Sequence, residues 1–200
     1  MNTQRVFSFA PEEVFFSTIE DPLGNPFDRA SFYTEMEPVE ISSRKYILGI
    51  QGQLWSETLM YPDRLTYFYF PKLLGLAERA WAAKPEWEIQ KDDALLARDW
   101  EIFANTIGKG QLDYMDASFE ALNYRIPAPG VTKVGNTVKV NSAFPGMVIR
   151  YAVGKVPNTT SPLVTNGTLE YQKDLQIAAF TKHGKQMSKV VYVDDLIHKD

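Results

Sequence analysis

Residues 46–83 read YILGIQGQLWSETLMYPDRLTYFYFPKLLGLAERAWAA, and they constrain this chain more than any other stretch. The first nine, 46–54, are short, mostly apolar and carry two glycines that let neighbouring backbone approach closely, so they read as a buried strand. A helix follows. A parallel strand is covered on both faces, and one β/α unit cannot supply both covers by itself. The first half of the chain therefore reads as a piece of something larger.

The helix is expected over 62–83. Pro62 suits a first helical position and Asp63 complements the helix dipole. Leu65, Phe68, Tyr69, Leu73, Leu76, Ala77 and Ala80 recur at three- and four-residue spacing, which predicts one buried face. Pro71 lies inside that pattern and should kink or break it. A second helix is expected over 91–107, with Leu95, Leu96, Trp100, Phe103 and Ile107 as its stripe and Gly108 as its stop. Upstream, residues 1–45 show little periodicity, and DPLGNPFD (21–28) is turn chemistry.

The character changes at NYRIPAPG, residues 123–130. Beyond it, TVKVNSAF, MVIRYAVG, LQIAAFTK and KVVYVDD are short β-type runs separated by Gly, Pro and Asn. Gly135-Asn136 and His183-Gly184 sit where hairpin turns belong. This predicts a small β-sandwich over 125–200, after an α/β portion over 1–124.

Composition removes several function classes. The chain has no cysteine, which excludes disulfides and thiolate chemistry. Its two histidines, His183 and His198, make a multi-His zinc site improbable, and no metal or cofactor is expected. A net charge of −4 without a basic block argues against nucleic acid or an anionic membrane as partner. No run approaches the ~18 apolar residues of a membrane span. MNTQRVFSFAPEE lacks the basic and apolar regions of a signal peptide.

At the end of the predicted strand stand Trp55 and Glu57. Residues i and i+2 of an extended segment face one side, so the ring and the carboxylate would point together. An indole face stacks on the C–H face of a pyranose, and a carboxylate accepts hydrogen bonds from hydroxyls, so the pair fits a sugar pocket. The plainer alternative is a packed strand-end tryptophan beside a solvated acid.

The segment ILGIQGQLWSETLMYPDRLTYFYFPKLLGLAERAWAAKPEWE closely resembles the last β/α unit of family 20 glycoside hydrolases, the β-N-acetylhexosaminidases. RVFSFAP, LGNPFD, DWEIFANTIG and NYRIPAPG look like the bacterial chitobiases, the subgroup with a C-terminal immunoglobulin-like domain. The resemblance runs from about Arg5 through nearly the whole chain, and is weaker in the β tail. It implies the end of a TIM (β/α)8 barrel over 1–124, with its final strand at about 46–54, final barrel helix at about 62–83 and an extra helix at about 91–107. An immunoglobulin-like β-sandwich over 125–200 would follow.

The resemblance also implies an exo-acting, retaining, substrate-assisted mechanism on terminal N-acetylhexosamine residues of oligosaccharides or glycans. Trp55 matches the tryptophan that walls the acetamido pocket. Glu57 matches the glutamate that binds hydroxyls of the terminal sugar. The family's adjacent Asp-Glu pair, which carries the acid and its partner, is absent: no Asp-Glu dipeptide and no His-x-Gly-Gly segment occurs in this sequence. No catalytic residue is therefore assigned, and neither Tyr33 nor Tyr46 is given the family's acetamido-binding role. The chain is expected to be a C-terminal, inactive portion, with the remainder of the barrel as partner. The parent is expected to be periplasmic, envelope-bound or secreted in a bacterium. The competing reading is a non-catalytic carbohydrate-binding or accessory protein.

Other residues read as structural. Glu78-Arg79 is expected as a polar pair outside the barrel, Trp81, Trp87 and Trp100 as packing, Glu12-Glu13 as a solvated pair, and His198 as part of a frayed terminus. Asn158-Thr-Thr and Asn166-Gly-Thr match the glycosylation pattern and are given little weight.

Overall fold

The computed structural model describes residues 2–21, 25–29, 46–55, 59–120 and 122–196. The chain divides into two compact units, Met1–Ile102 and Phe103–Asp200.

In the first unit, α1 (Thr3–Phe7) begins at Asn2, whose side chain accepts a hydrogen bond from the Arg5 amide, an ordinary N-cap. A short α2 (Val14–Ser17) follows. The long predicted helix is split as Pro71 requires, into α3 (Pro62–Tyr69), with Pro62 in its first turn, and α4 (Lys72–Trp81). Then come α5 (Glu86–Gln90) and α6 (Asp93–Thr106). The left-handed Lys91 (φ 55°) closes α5. Asp92 accepts from the amides of Ala94 and Leu95 at 2.7 and 3.1 Å, which starts α6.

This unit packs by joining α1 to α4. Gly75 lets the helices touch, since a Cβ there would lie 3.1 Å from the Phe7 amide nitrogen and 3.3 Å from the Thr3 carbonyl oxygen. Phe7, Ala10, Trp87 and Leu96 are buried in this unit. The Phe7 and Trp100 rings lie 5.7 Å apart.

Two expectations fail here. The strand predicted over 46–54 is not formed: residues 46–55 belong to no sheet, and no strand among the described residues pairs with them. An apolar run becomes a strand only where a neighbour completes its hydrogen bonds. The face predicted to be buried on the long helix is also only half covered. On α4, Lys72, Gly75, Leu76 and Arg79 are buried or half-buried, while Leu73, Ala77, Ala80 and Trp81 form a second stripe that is exposed. Trp81 is 90% exposed rather than packed.

The second unit opens with the end of α6. Gly108 does not stop that helix. The chain passes through a π-helical turn, Ile107–Gln111, into α7 (Leu112–Ser118). Gly108 is needed for packing instead, because a Cβ there would sit 2.0 Å from the Pro145 carbonyl oxygen.

The β region forms as alternation predicts. The strands are β1 (Gly130–Val134), β2 (Thr137–Asn141), β3 (Val148–Val153), β4 (Thr168–Glu170), β5 (Leu175–Phe180) and β6 (Val191–Tyr192). They make two antiparallel sheets, ordered β1-β2-β4 and β3-β5-β6. Val134 pairs Thr137 across Gly135-Asn136, with Gly135 at φ 59°. At the other expected turn, Gly184 has φ 73° and its amide donates to the Thr181 carbonyl at 2.9 Å. Val138, Val140, Leu175, Ile177 and Val193 form a buried core shared by both sheets.

Candidate functional site

Trp55 ends segment 46–55, which touches α4. Gly52 marks the contact, since a Cβ there would meet Leu76 Cδ2 at 2.9 Å. Trp55 itself is 70% exposed and offers an open indole face of the kind that stacks on a sugar ring. Glu57 lies outside the described residues, so the expected pairing of ring and carboxylate on one side is not placed. His198, Tyr33, Ser56 and Thr58 also fall outside them. Among the described residues, no group of three or more His, Asp or Glu side chains is arranged to hold a metal ion.

Charged residues on and around α4 serve its packing. Arg79 is stacked between two rings, 5.2 Å from the Phe7 centroid and 5.3 Å from that of Trp87. Burial lowers the pKa of its guanidinium, opposed by the charges of Glu78, Glu88 and Asp99. Glu78 approaches it only to 3.9 Å, so the predicted polar pair is weak and the aromatic sandwich is the principal contact.

Glu12 and Glu13, read as a solvated pair, are engaged instead. Lys84 Nζ donates to Glu12 at 2.6 Å and lies 3.4 Å from the buried Glu88, and Lys91 pairs with Glu13 at 3.1 Å. The hydrogen bond to Glu12 is the main reason the Lys84 pKa is raised. Partners more than seventy residues away leave no local signal, which is why sequence reasoning missed this cluster.

The second unit holds another unforeseen cluster. The buried Tyr124 donates its phenolic hydrogen to the buried Asp116 at 2.6 Å. Burial first, and this hydrogen bond second, push the Tyr124 pKa well up. Lys182 pairs with Asp113 at 3.3 Å, Lys185 donates to the Asp116 carbonyl, and Gln186 donates to the Leu122 carbonyl at 2.9 Å. These groups bond to one another and tie helix to sheet, so the cluster is structural.

Comparison with known proteins now gives the site its context. The catalytic-domain model of glycosyl hydrolase family 20 matches residues 19–84, and the chitobiase/beta-hexosaminidase C-terminal-domain model matches residues 112–190. The two matches stand in catalytic-then-C-terminal order along one chain, one in each compact unit. The chain belongs to glycosyl hydrolase family 20, in its chitobiase/beta-hexosaminidase branch.

Among its relatives, an N,N'-diacetylchitobiase of Vibrio harveyi is 30% identical over 167 residues, covering 76% of this chain and 18% of that protein. A beta-hexosaminidase of Vibrio vulnificus is 26% identical over 194 residues, covering 84% and 22% respectively. A beta-hexosaminidase B of Pseudoalteromonas piscicida is 51% identical over 41 residues, which cover 20% of this chain and 5% of that protein. The chain thus spans about a fifth of the length of the first two relatives. No helix among the described residues is long and apolar enough to cross a membrane.

Proposed function

We propose that this chain is the C-terminal portion of an exo-acting β-N-acetylhexosaminidase of the chitobiase type, and that it supplies substrate-binding groups to a site whose catalytic residues lie elsewhere in the parent. The observation that carries this reading is the succession of a catalytic-domain match and a C-terminal-domain match within one chain. Residues 1–124 belong to the end of the (β/α)8 barrel, and 125–200 form the immunoglobulin-like sandwich.

Trp55 walls the pocket for the substrate's acetamido group. Glu57 accepts hydrogen bonds from hydroxyls of the terminal sugar, which selects an unsubstituted non-reducing end. The reaction is a retaining hydrolysis in which the acetamido oxygen of the substrate attacks the anomeric carbon. The parent acts outside the bacterial cytoplasm on N-acetylhexosamine-containing oligosaccharides or glycans.

The remainder of the barrel is the structural partner. Three observations support it: segment 46–55, which joins no sheet among the described residues, the exposed Leu48 and Trp55, and the uncovered stripe of α4. A strand-like apolar run outside any sheet and a helix apolar on two sides both call for further β/α units.

The test uses an aryl N-acetyl-β-glucosaminide. The 200-residue chain alone should show no turnover above a heat-killed control. In the full-length parent, Glu57→Gln should lower kcat/KM roughly ten- to a hundredfold, the effect of weakening charge-assisted hydrogen bonds. Turnover by the chain alone, or unchanged kinetics in the variant, would overturn the assignment.

A further inference from the structure

The family match for the C-terminal domain begins at residue 112, and the composition changes at about 123. The compact unit begins earlier than either, at Phe103, inside the continuous helix α6. We infer that the C-terminal body opens and closes as one cooperative unit starting at about Phe103, with Tyr124, Asp116 and the 181–186 turn as the clasp that couples helix to sheet.

Two kinds of contact carry this. The first is backbone on backbone. A Cβ on Gly108 would meet the Pro145 carbonyl oxygen at 2.0 Å and its carbon at 3.0 Å, and a Cβ on Gly146 would meet the Gly108 carbonyl oxygen at 2.8 Å. Gly146 holds φ 95° to make that turn. The π-helical turn and the β2–β3 connection therefore lie in direct main-chain contact, and neither can shift without the other.

The second is polar and buried. Asp116 is 3% exposed, and its Oδ1 accepts the Tyr124 hydroxyl. Its Oδ2 is buried with no hydrogen-bond partner, so the phenol is the donor on which this carboxylate depends. The β5–β6 hairpin then closes over the helix through Lys182 on Asp113, Lys185 on the Asp116 carbonyl and Gln186 on the Leu122 carbonyl. A helix separated from the sheets would leave a buried carboxylate and several main-chain groups without partners, which makes partial opening unfavourable.

Hydrogen exchange followed by mass spectrometry on the full 200-residue chain tests this. In the wild type, amides of 104–118 should exchange within about tenfold of those of 176–180. Tyr124→Phe removes one hydroxyl without changing shape, and should speed both segments by a common factor of roughly ten to a hundred. Lys185→Met should speed both by a smaller common factor. The inference is overturned if 104–118 already exchanges more than about a hundredfold faster than 176–180 in the wild type. It is also overturned if either variant speeds only the helix, or if neither segment responds. Should Tyr124→Phe fail to fold, the wild-type comparison and Lys185→Met still decide.

Discussion

Gly108 and Gly110, two positions apart, sit in the same π-helical turn, yet the structure assigns their replacement opposite signs. Gly108 faces the Pro145 carbonyl, and a Cβ would stand 2.0 Å from that oxygen and 3.1 Å from Phe144 Cβ. Real Cβ atoms do not approach below 3.0 Å, and the blocking atoms are main chain, so they cannot rotate aside. Gly110 has nothing within 4 Å of its would-be Cβ. Neither has a positive φ, so strain at the residue itself does not enter.

Alanine is favoured over glycine in a helix by about 1 kcal/mol, and this gain applies to both. At Gly110 it stands alone, so Gly110→Ala should stabilise by up to about 1 kcal/mol. At Gly108 it is opposed by overpacking, which costs roughly 1–3 kcal/mol and more where backbone must move. Gly108→Ala should therefore destabilise by about 1–2 kcal/mol or more. In a unit of this size, 1 kcal/mol moves the midpoint by roughly 4–8 °C. Thermal melts followed by circular dichroism on the full chain would show Gly110→Ala unchanged or slightly higher and Gly108→Ala clearly lower. Melting shifts of the same sign for both variants would refute the reasoning, because helix propensity alone would then explain them.

Alkaline pH should weaken the fold. The Tyr124 pKa is raised by burial and by its bond to Asp116, so its stabilisation is full below the unfolded value of about 10 and is lost as pH rises beyond it. Lys84, raised by Glu12, acts in the same direction above about pH 10.4. The melting temperature should fall between pH 9.5 and 11 (about the range set by these values), and Tyr124→Phe should flatten that fall; an equal slope in the variant would contradict the assignment. The uncovered stripe should bind a hydrophobic dye, and Trp81→Ser should lower the dye signal while changing stability by less than about 0.5 kcal/mol. An unchanged dye signal would place the accessible apolar surface elsewhere.

What could be read from the sequence was governed by distance along the chain. The break at Pro71 and the turn at Gly135-Asn136 rest on the conformational rules of single residues, and both formed where expected. The β runs declared themselves by alternation between flanking turns. Gly108 was read as a helix stop because a glycine after an apolar stripe has that meaning locally. Its real neighbour, Pro145, is remote, and nothing in the sequence joins them. The ion pairs of Glu12 and Glu13 were hidden for the same reason. The run at 46–54 shows the opposite limit: its apolar pattern is plain, but a strand is a property of pairs, and the described residues offer it no mate. The i, i+2 spacing of Trp55 and Glu57 suggests a sugar pocket but leaves a packed ring beside a solvated acid equally open, and only the motif resemblance gives each residue a particular role.

The two stripes of α4 leave a design constraint behind. Gly75, Leu76 and Arg79 serve the contacts with α1, Trp87 and segment 46–55, and Lys72 lies over the Phe68 ring of α3, while Leu73, Ala77, Ala80 and Trp81 face outward. Only Leu74 and Glu78 of its ten residues fall outside these two sets. Solubility and assembly therefore draw on the same positions. Polar substitutions that keep this helix soluble would erode the surface on which further units could be built, so selection cannot improve one without weakening the other.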